Sequence, residues 1–244
     1  MKVVFGCPVV DRAWILPEWL AAIDAQEIDD YEIACVVGPC TDGTERILLE
    51  HPRCRVWRTN ERRSQANVRS HSWPEEDLRV ISSARNLLRS RVLAAYEFDY
   101  YFSLDSDIIL EPDVTRTLLG GFVDWDGAAA SPLVKMTPEG DGQHLAWNYM
   151  HFVEGSEAAS RPGIQPAPTE PQVVDVLMAA ILMRREVLEL SHWDPHPQGE
   201  DVAWSRLARH HGWNLLLDPT VKGDHRMHAP ALTSSSSPTG QALT

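Results

Sequence analysis

The sequence lacks any apolar run approaching the roughly 20 residues that a membrane-spanning helix requires. Its first residues, MKVVFGCPVVDR, begin at once as a strand and show neither the apolar segment nor the cleavage site of a signal peptide. We therefore expect a soluble, cytoplasmic protein without a transmembrane segment.

Paired cysteines and positive charge are also scarce. Cys7, Cys35, Cys40 and Cys54 form no C-x-x-C pair and have no histidine at zinc spacing, which favours buried free thiols over a zinc site. With 22 Lys and Arg against 35 Asp and Glu, the formal net charge is −13. Phosphate backbones attract Lys and Arg, so general nucleic-acid binding is disfavoured.

The chain does have a regular alternation of strand and helix patterns. Its 244 residues, 43% of them hydrophobic, are enough to bury one large core. Short β-branched runs such as KVVFGCPVV and YEIACVVG alternate with segments of helical spacing, which predicts an α/β sheet with helices on its faces. Such sheets bind ligands beyond the carboxyl ends of their strands.

Two aspartates stand at such an end, in the stretch YYFSLDSDIIL. Asp105 and Asp107 would repel each other if buried, so the pair indicates a cation beside them. Carboxylate oxygens suit Mg²⁺ or Mn²⁺, which also take oxygens from substrate phosphates. The alternative is a strand that ends in solvated aspartates.

Three further elements follow a fixed order around this pair. Arg85 and Asn86 lie in the helical stretch SARNLLRSRV, Glu200 and Asp201 begin the helix GEDVAWSRLARHHGW, and His225 follows a strand in GDHRMH. Each has a plainer alternative: a surface arginine, acids that stabilise a helix start, and a surface histidine.

Taken together, these elements resemble the glycosyltransferases of the GT-A fold, closest to the family 2-like group. The resemblance covers roughly residues 2–228 and implies a single α/β domain, a Rossmann-like nucleotide-binding mixed sheet flanked by helices. We expect residues 1–110 to form its nucleotide-sugar-binding half and residues 111–228 its acceptor-binding and catalytic half. Residues 229–244, rich in Ser, Thr, Pro and Ala, predict a flexible tail.

The resemblance also implies roles for individual residues. Asp107 would bind the divalent metal, Mn²⁺ or Mg²⁺, together with Asp105 and His225, and His228 is the alternative to His225. Asp105 could instead contact the ribose or a metal-bound water. The residues implied in nucleotide-sugar binding are Pro8, Val9, Asp11, Arg85, Asn86, Asp105 and Ser106. Asp11 has the alternative role of a helix N-cap.

The implied enzyme is a glycosyltransferase of the hexosyltransferase type, in which Asp201 deprotonates the acceptor hydroxyl and Glu200 supports it. A base so placed predicts inversion at the anomeric carbon, with a retaining enzyme as the alternative. Two other classes stay open: a non-catalytic sugar-binding module, and a phosphatase with an Asp-x-Asp motif. Phosphatases of the haloacid dehalogenase type place Thr where this chain has Ile109.

The donor and acceptor are less defined. The family's second strand usually ends in an acidic pair, but this chain has Val37 and Gly38 there. A UDP-sugar and a GDP-sugar therefore both stay possible donors. In the cluster HLAWNYMHF, Trp147 and Tyr149 are candidates for stacking on an acceptor sugar or for core packing. The acceptor itself, a glycan, a small molecule or a modified nucleobase, is open.

Overall fold

The computed structural model describes residues 1–61, 74–125, 127–135, 147–156, 158–160 and 167–226. His228 and the predicted tail lie outside these residues. The helices are α1 Leu16–Asp24, α2 Thr44–Glu50, α3 Glu75–Ala95, α4 Val114–Trp125, α5 Arg185–Leu190 and α6 Glu200–His210. The strands are β1 Val3–Val9, β2 Tyr31–Val37, β3 Cys54–Arg58, β4 Tyr100–Leu104, β5 Ile108–Leu110, β6 Ala129–Val134, β7 Tyr149–Phe152, β8 Ala159–Ser160, β9 Gln172–Val174, β10 Val176–Leu177, β11 Ala180–Arg184 and β12 Leu215–His225.

A mixed sheet organises the described residues. Its strands follow the order β3-β2-β1-β4-β11-β6-β12-β5, and β9 pairs with β12. The first four of these strands are parallel, whereas β11 runs antiparallel to both β4 and β6. A smaller sheet has the order β10-β7-β8. The predicted α/β architecture with a mixed sheet is confirmed.

Hydrophobic clusters cover both faces of the large sheet. Alternate residues of β1 point to opposite faces, so Phe5 belongs to the cluster under α1, α2 and α4, and Val4 to the cluster under α3, α5 and α6. With both faces covered, the open carboxyl edge of the parallel strands is the place left for a ligand. None of the helices in the described residues is both long and apolar enough to cross a membrane.

Gly6 provides a test of this packing. A Cβ atom added there would overlap the ring and hydroxyl of Tyr101 on the neighbouring strand β4. We expect Gly6→Ala to lower the free energy of unfolding by roughly 1–3 kcal/mol, as overpacking does. Gly120 on α4 has nothing within 4 Å of an added Cβ, so Gly120→Ala is the control and should raise stability by about 0.5–1 kcal/mol. Urea unfolding measures both, and equal effects would contradict the packing.

Candidate active site

The predicted aspartate motif lies where β4 ends, at the carboxyl edge of the sheet. Main-chain bonds fix both of its residues. The Asp105 N–H donates to the Ala179 carbonyl at 2.8 Å, and the Trp19 indole N–H donates to the Asp105 carbonyl at 3.0 Å. The Asp107 carbonyl accepts from the Arg226 N–H at 2.8 Å. The two carboxylates are therefore presented from a rigid turn between β4 and β5.

Arg85 bonds to both acidic motifs, the aspartate motif after β4 and the Glu200-Asp201 pair. Its side chain is only 3% exposed. Nε donates to Glu200 at 2.8 Å, Nη1 to the Ser103 hydroxyl at 2.8 Å and Nη2 to Asp105 at 2.7 Å. Each guanidinium nitrogen thus donates one bond to the protein, which uses three of the five N–H groups. The donor-binding role implied for Arg85 stays a prediction.

Asp201 lies in the first turn of α6 and is buried. One carboxylate oxygen accepts from the Ala179 N–H at 3.0 Å and the other from the Trp193 indole N–H at 3.3 Å. Burial raises the pKa of Asp201 to about 7, Arg85 opposes this rise, and nearby carboxylates add to it. A base with a pKa near neutral is suited to taking a proton at neutral pH.

Asp107 and His225 form the candidate metal site. Oδ1 of Asp107 lies 3.7 Å from Nε2 of His225, and its Oδ2 lies 3.4 Å from Nη2 of Arg12. Burial would raise the pKa of Asp107, but His225 and Arg12 outweigh it and lower the pKa, which favours the ionised carboxylate.

The chemistry of this group fits a divalent ion. Nδ1 of His225 is buried and has no hydrogen-bond partner among the described residues. With Nε2 near the ionised Asp107 and Nδ1 without a partner in the part of the chain that the structure describes, the imidazole offers a ligand atom that suits a divalent ion. Asp105 lies next to the pair but turns one oxygen towards Arg85. Asp107 and His225 are the groups that would hold the ion, and the metal contact implied for Asp105 stays a prediction.

The first loop places three of the predicted nucleotide-binding residues at the same edge. Pro8 and Val9 end β1, and the Val9 carbonyl accepts from the Gly38 N–H at 3.1 Å. Asp11 adopts a left-handed φ of 49°. Its Oδ1 accepts from the Thr41 N–H at 2.6 Å. The N-cap of α1 is Ile15, so the alternative of Asp11 as the N-cap of the first helix is wrong.

Asn86 and Ser106 have their polar groups close to other parts of the site. The Asn86 amide donates to the Trp193 carbonyl at 2.6 Å and accepts from the Trp193 N–H at 2.9 Å. Asn86 therefore fixes the loop from which Trp193 reaches Asp201. Ser106 is buried with its hydroxyl beside the Cys7 thiol. The nucleotide contacts implied for both residues stay predictions.

A second group of possible ligand atoms lies in the first two loops. Atoms of Asp11, Cys40 and Asp42 are within 4.8 Å of one another. Asp42 already accepts from the Ala13 and Thr44 N–H groups at 3.0 and 2.9 Å. Burial raises the pKa of the Cys40 thiol and so disfavours the thiolate that a metal needs. The carboxylates of Asp11 and Asp42 thus accept hydrogen bonds that hold the two loops together, which accounts for their position without a metal.

The two aromatic candidates for acceptor binding differ in exposure. Tyr149 in β7 is buried in a hydrophobic cluster, whereas Trp147 is half-buried and its indole nitrogen has no partner among the described residues. Between them, the buried Asn148 donates to the Ser131 hydroxyl at 2.8 Å and accepts from the Val134 N–H at 2.8 Å. The acceptor contacts of Trp147 and Tyr149 stay predictions.

Sequence analysis missed four residues that shape the site: Arg12, Asn148, Ala179 and Trp193. Two of them had a usable signal in the sequence. Arg12 is a cation in the first loop after a strand, and Asn148 is a polar residue inside an aromatic cluster. Ala179 has a φ of 67°, a conformation that usually indicates glycine. Nothing in the sequence pairs Trp193 with Asp201, because that contact depends on how the loop before α6 folds back.

The Arg85 network predicts a large loss of stability on substitution. Arg85→Met would leave the buried Glu200 and the partly exposed Asp105 without their shared partner, so the free energy of unfolding should fall by roughly 3–5 kcal/mol. Arg79 on the same helix is 68% exposed and pairs with Glu75, and Arg79→Met should leave the free energy of unfolding nearly unchanged. Chemical unfolding measures both. Equal losses would show that the carboxylates do not depend on Arg85 for their charge balance.

Asp201 predicts a pH dependence of stability. Its folded-state pKa of about 7 exceeds the ordinary 3.8, so the folded chain binds the proton more tightly than the unfolded chain. The resulting stability, on the order of 2–4 kcal/mol, is present below about pH 4 and lost as the pH rises through 7. We expect Asp201→Asn to flatten the fall in Tm over this range, whereas the exposed control Asp194→Asn should not. Parallel curves for wild type and Asp201→Asn would contradict the raised pKa.

Comparisons with known proteins bear on the fold. No protein-family model matches the sequence, and no curated protein sequence matches it. A structure of S. aureus TarS, residues 1–349, matches with a TM-score of 0.58 and 12% identity over 92% of this chain and 60% of that one. The same protein in complex with UDP-GlcNAc gives a TM-score of 0.59 and 13% identity over 93% and 59%.

A structure of GalNAc-T7 with UDP, GalNAc and Mn²⁺ gives a TM-score of 0.65 and 16% identity over 98% of this chain and 46% of that one. The chain thus spans about three fifths of the TarS structure and under half of GalNAc-T7. At such identities the likeness concerns the fold. The GT-A fold predicted from the sequence, a single domain built on a Rossmann-like mixed sheet, is confirmed.

Proposed function

We propose that this chain is a metal-dependent glycosyltransferase that moves a hexose from a nucleotide-sugar donor to an acceptor hydroxyl. The observation that supports it most is the joining of the two acidic motifs by Arg85, which contacts Asp105 at 2.7 Å and Glu200 at 2.8 Å at the carboxyl edge of a GT-A sheet. Charged groups brought together in this way are costly to desolvate and occur preferentially at functional sites.

In the proposed reaction Asp201 is the general base. It takes the proton of the acceptor hydroxyl as the hydroxyl oxygen bonds to the anomeric carbon, and the electron pair of the breaking carbon–oxygen bond leaves with the diphosphate. The N–H groups of Ala179 and Trp193 hold the carboxylate in place, and Glu200 fixes Arg85 next to it. Attack assisted by such a base inverts the anomeric configuration. A retaining enzyme remains the alternative.

The metal would be held by Asp107 and His225, with Asp105 beside them. A bound divalent ion supplies charge neutralisation to the departing diphosphate. Imidazole is a better ligand for Mn²⁺ than for Mg²⁺, and the GalNAc-T7 structure contains Mn²⁺, so Mn²⁺ is our first choice. Ionisation of Asp107, favoured by His225 and Arg12, prepares its carboxylate as a ligand.

The donor is proposed to be a UDP- or GDP-sugar. The TarS and GalNAc-T7 structures with UDP-GlcNAc and UDP support uracil. Against it, β2 ends at Val37 and is followed by Gly38, and neither residue offers a carboxylate at that point. The acceptor is proposed to approach from the side of Trp147 and Tyr149. The cytoplasmic location and the two halves of the domain stay predictions.

A non-catalytic sugar-binding module is the main rival, and a raised pKa at Asp201 speaks against it, because a module has no use for a base tuned to neutral pH. A phosphatase would need an unpaired aspartate as nucleophile. Asp105 is instead paired with Arg85 at 2.7 Å, which lowers its nucleophilicity.

The test separates donor binding from chemistry. We expect thermal-shift measurements to show stabilisation by UDP- or GDP-sugars that requires Mn²⁺, and donor hydrolysis, with water as the acceptor, to release the nucleoside diphosphate slowly. Asp107→Ala should abolish the Mn²⁺-dependent shift. Asp201→Asn should keep the shift but lose hydrolysis by roughly 10²–10⁴-fold, the usual contribution of a general base.

The controls are two exposed acids near the same elements. Asp224→Ala, next to His225 on β12, should leave the Mn²⁺-dependent shift unchanged, and Asp194→Asn should leave hydrolysis unchanged. If Asp201→Asn hydrolyses the donor like wild type, Asp201 is not the base. If no nucleotide-sugar stabilises the wild type with Mn²⁺, the proposed function fails.

A further inference from the structure

Arg12 and Arg85 both reach the Asp-x-Asp motif, but they are used differently. The Arg85 guanidinium is buried and all its nitrogens donate to the protein. Arg12 is 25% exposed, and the contact of its Nη2 with Asp107 at 3.4 Å is the guanidinium's one polar contact within the part of the chain that the structure describes. A guanidinium has five N–H donors, so Arg12 keeps most of its donors for a ligand.

The main chain holds Arg12 at this position. Its N–H donates to the Thr44 hydroxyl at 2.7 Å, and its carbonyl accepts from the N–H groups of Ile15 and Leu16 at 3.0 and 3.1 Å. These bonds tie the residue to the starts of α1 and α2 at once. The side chain therefore extends from a fixed point at the carboxyl edge, and only its flexible stem needs to move for the guanidinium to change partner.

The charges around Asp107 indicate which new partner the Arg12 guanidinium would take. Asp107 is contacted by Arg12 at one oxygen and by His225 at the other, so the guanidinium partly neutralises the carboxylate by itself. The guanidinium would be repelled by a divalent ion on the same carboxylate. The diphosphate of a donor is the group that brings new acceptors to this place, and a guanidinium fork matches phosphate oxygens in geometry.

We propose that Arg12 is a diphosphate-binding residue of the donor site and that its guanidinium competes with a divalent ion for Asp107. This proposal rests on the proposed function, because it assumes that a nucleoside diphosphate binds here. It separates the two arginines by role. Arg85 positions the carboxylates, whereas Arg12 contacts the ligand and competes with the metal for Asp107.

The experiment measures Mn²⁺ and nucleoside diphosphate binding separately on the full chain. MnCl₂ binding is followed by electron paramagnetic resonance, and UDP and GDP binding in saturating MnCl₂ by calorimetry. Arg12→Met should bind Mn²⁺ alone several-fold more tightly, because the competing cation is gone. It should bind the diphosphate that wild type prefers roughly tenfold more weakly or worse, as expected for lost charge-assisted hydrogen bonds. Arg12→Lys, which keeps the charge but not the fork, should fall between.

The matched control is Arg185→Met. Arg185 is 28% exposed and paired with Glu97 and Glu189, and its N–H bonds to the Asp99 carbonyl before β4 begins, so it lies at the opposite edge of the sheet. This variant should change neither binding constant. Thermal unfolding of each variant checks that it is folded.

Two outcomes overturn the proposal on its own. If a folded Arg12→Met binds the nucleoside diphosphate as tightly as wild type, Arg12 does not contact the diphosphate. If it binds Mn²⁺ no more tightly than wild type, Arg12 does not compete for Asp107. If the wild type binds Mn²⁺ but neither UDP nor GDP, the proposed function is overturned as well. The wild-type measurement alone gives this result, so it can be told apart from the two outcomes above, which need the Arg12→Met variant.

Discussion

The arrangement of the site depends on one buried cation, the guanidinium of Arg85. Bringing the partly exposed Asp105 close to the buried Glu200 and Asp201 is unfavourable, because the carboxylates repel one another and lose hydration. The guanidinium bonds directly to two of them and limits the rise in the pKa of the third, Asp201. Without it, the turn after β4 and the start of α6 would be pushed apart. The two acidic motifs can share one cleft because α3 places an arginine between them.

The surrounding elements supply the rest of the stabilisation. Glu200 and Asp201 occupy the first turn of α6, where unsatisfied N–H groups and the helix dipole favour negative charge. Ala179 bonds to both motifs through its peptide groups, with its carbonyl on the Asp105 N–H and its N–H on Asp201. Ala179 adopts a left-handed φ of 67° to make both bonds, a conformation that costs free energy for a residue with a side chain. The position of the Asp201 carboxylate therefore depends on the start of α6, the turn at Ala179 and the Arg85 guanidinium together.

Sequence analysis could predict the features that are local. The strand into Asp107, the long helix with Arg85 and the helix start at Glu200 follow from periodicity and end signals, which lie within a few residues. It could not predict that Arg85 bonds to Glu200, because Glu200 is 115 residues away in the chain. The strands β8, β9 and β10 have two or three residues, too few to show a period. Ala179 gave no signal because nothing in its type indicates a turn.

The acidity of the chain places a further constraint on the proposed donor site. A net charge of −13 repels a nucleoside diphosphate at long range, and Arg85 adds little attraction because Asp105 and Glu200 balance its charge. Attraction for the diphosphate must then arise inside the cleft. There, the cations next to Asp107 must carry more positive charge than the single negative charge of its carboxylate. Arg12 supplies one positive charge, and a divalent ion would supply two. In this proposal the carboxylate of Asp107 binds cations, and these cations in turn bind the diphosphate of the donor.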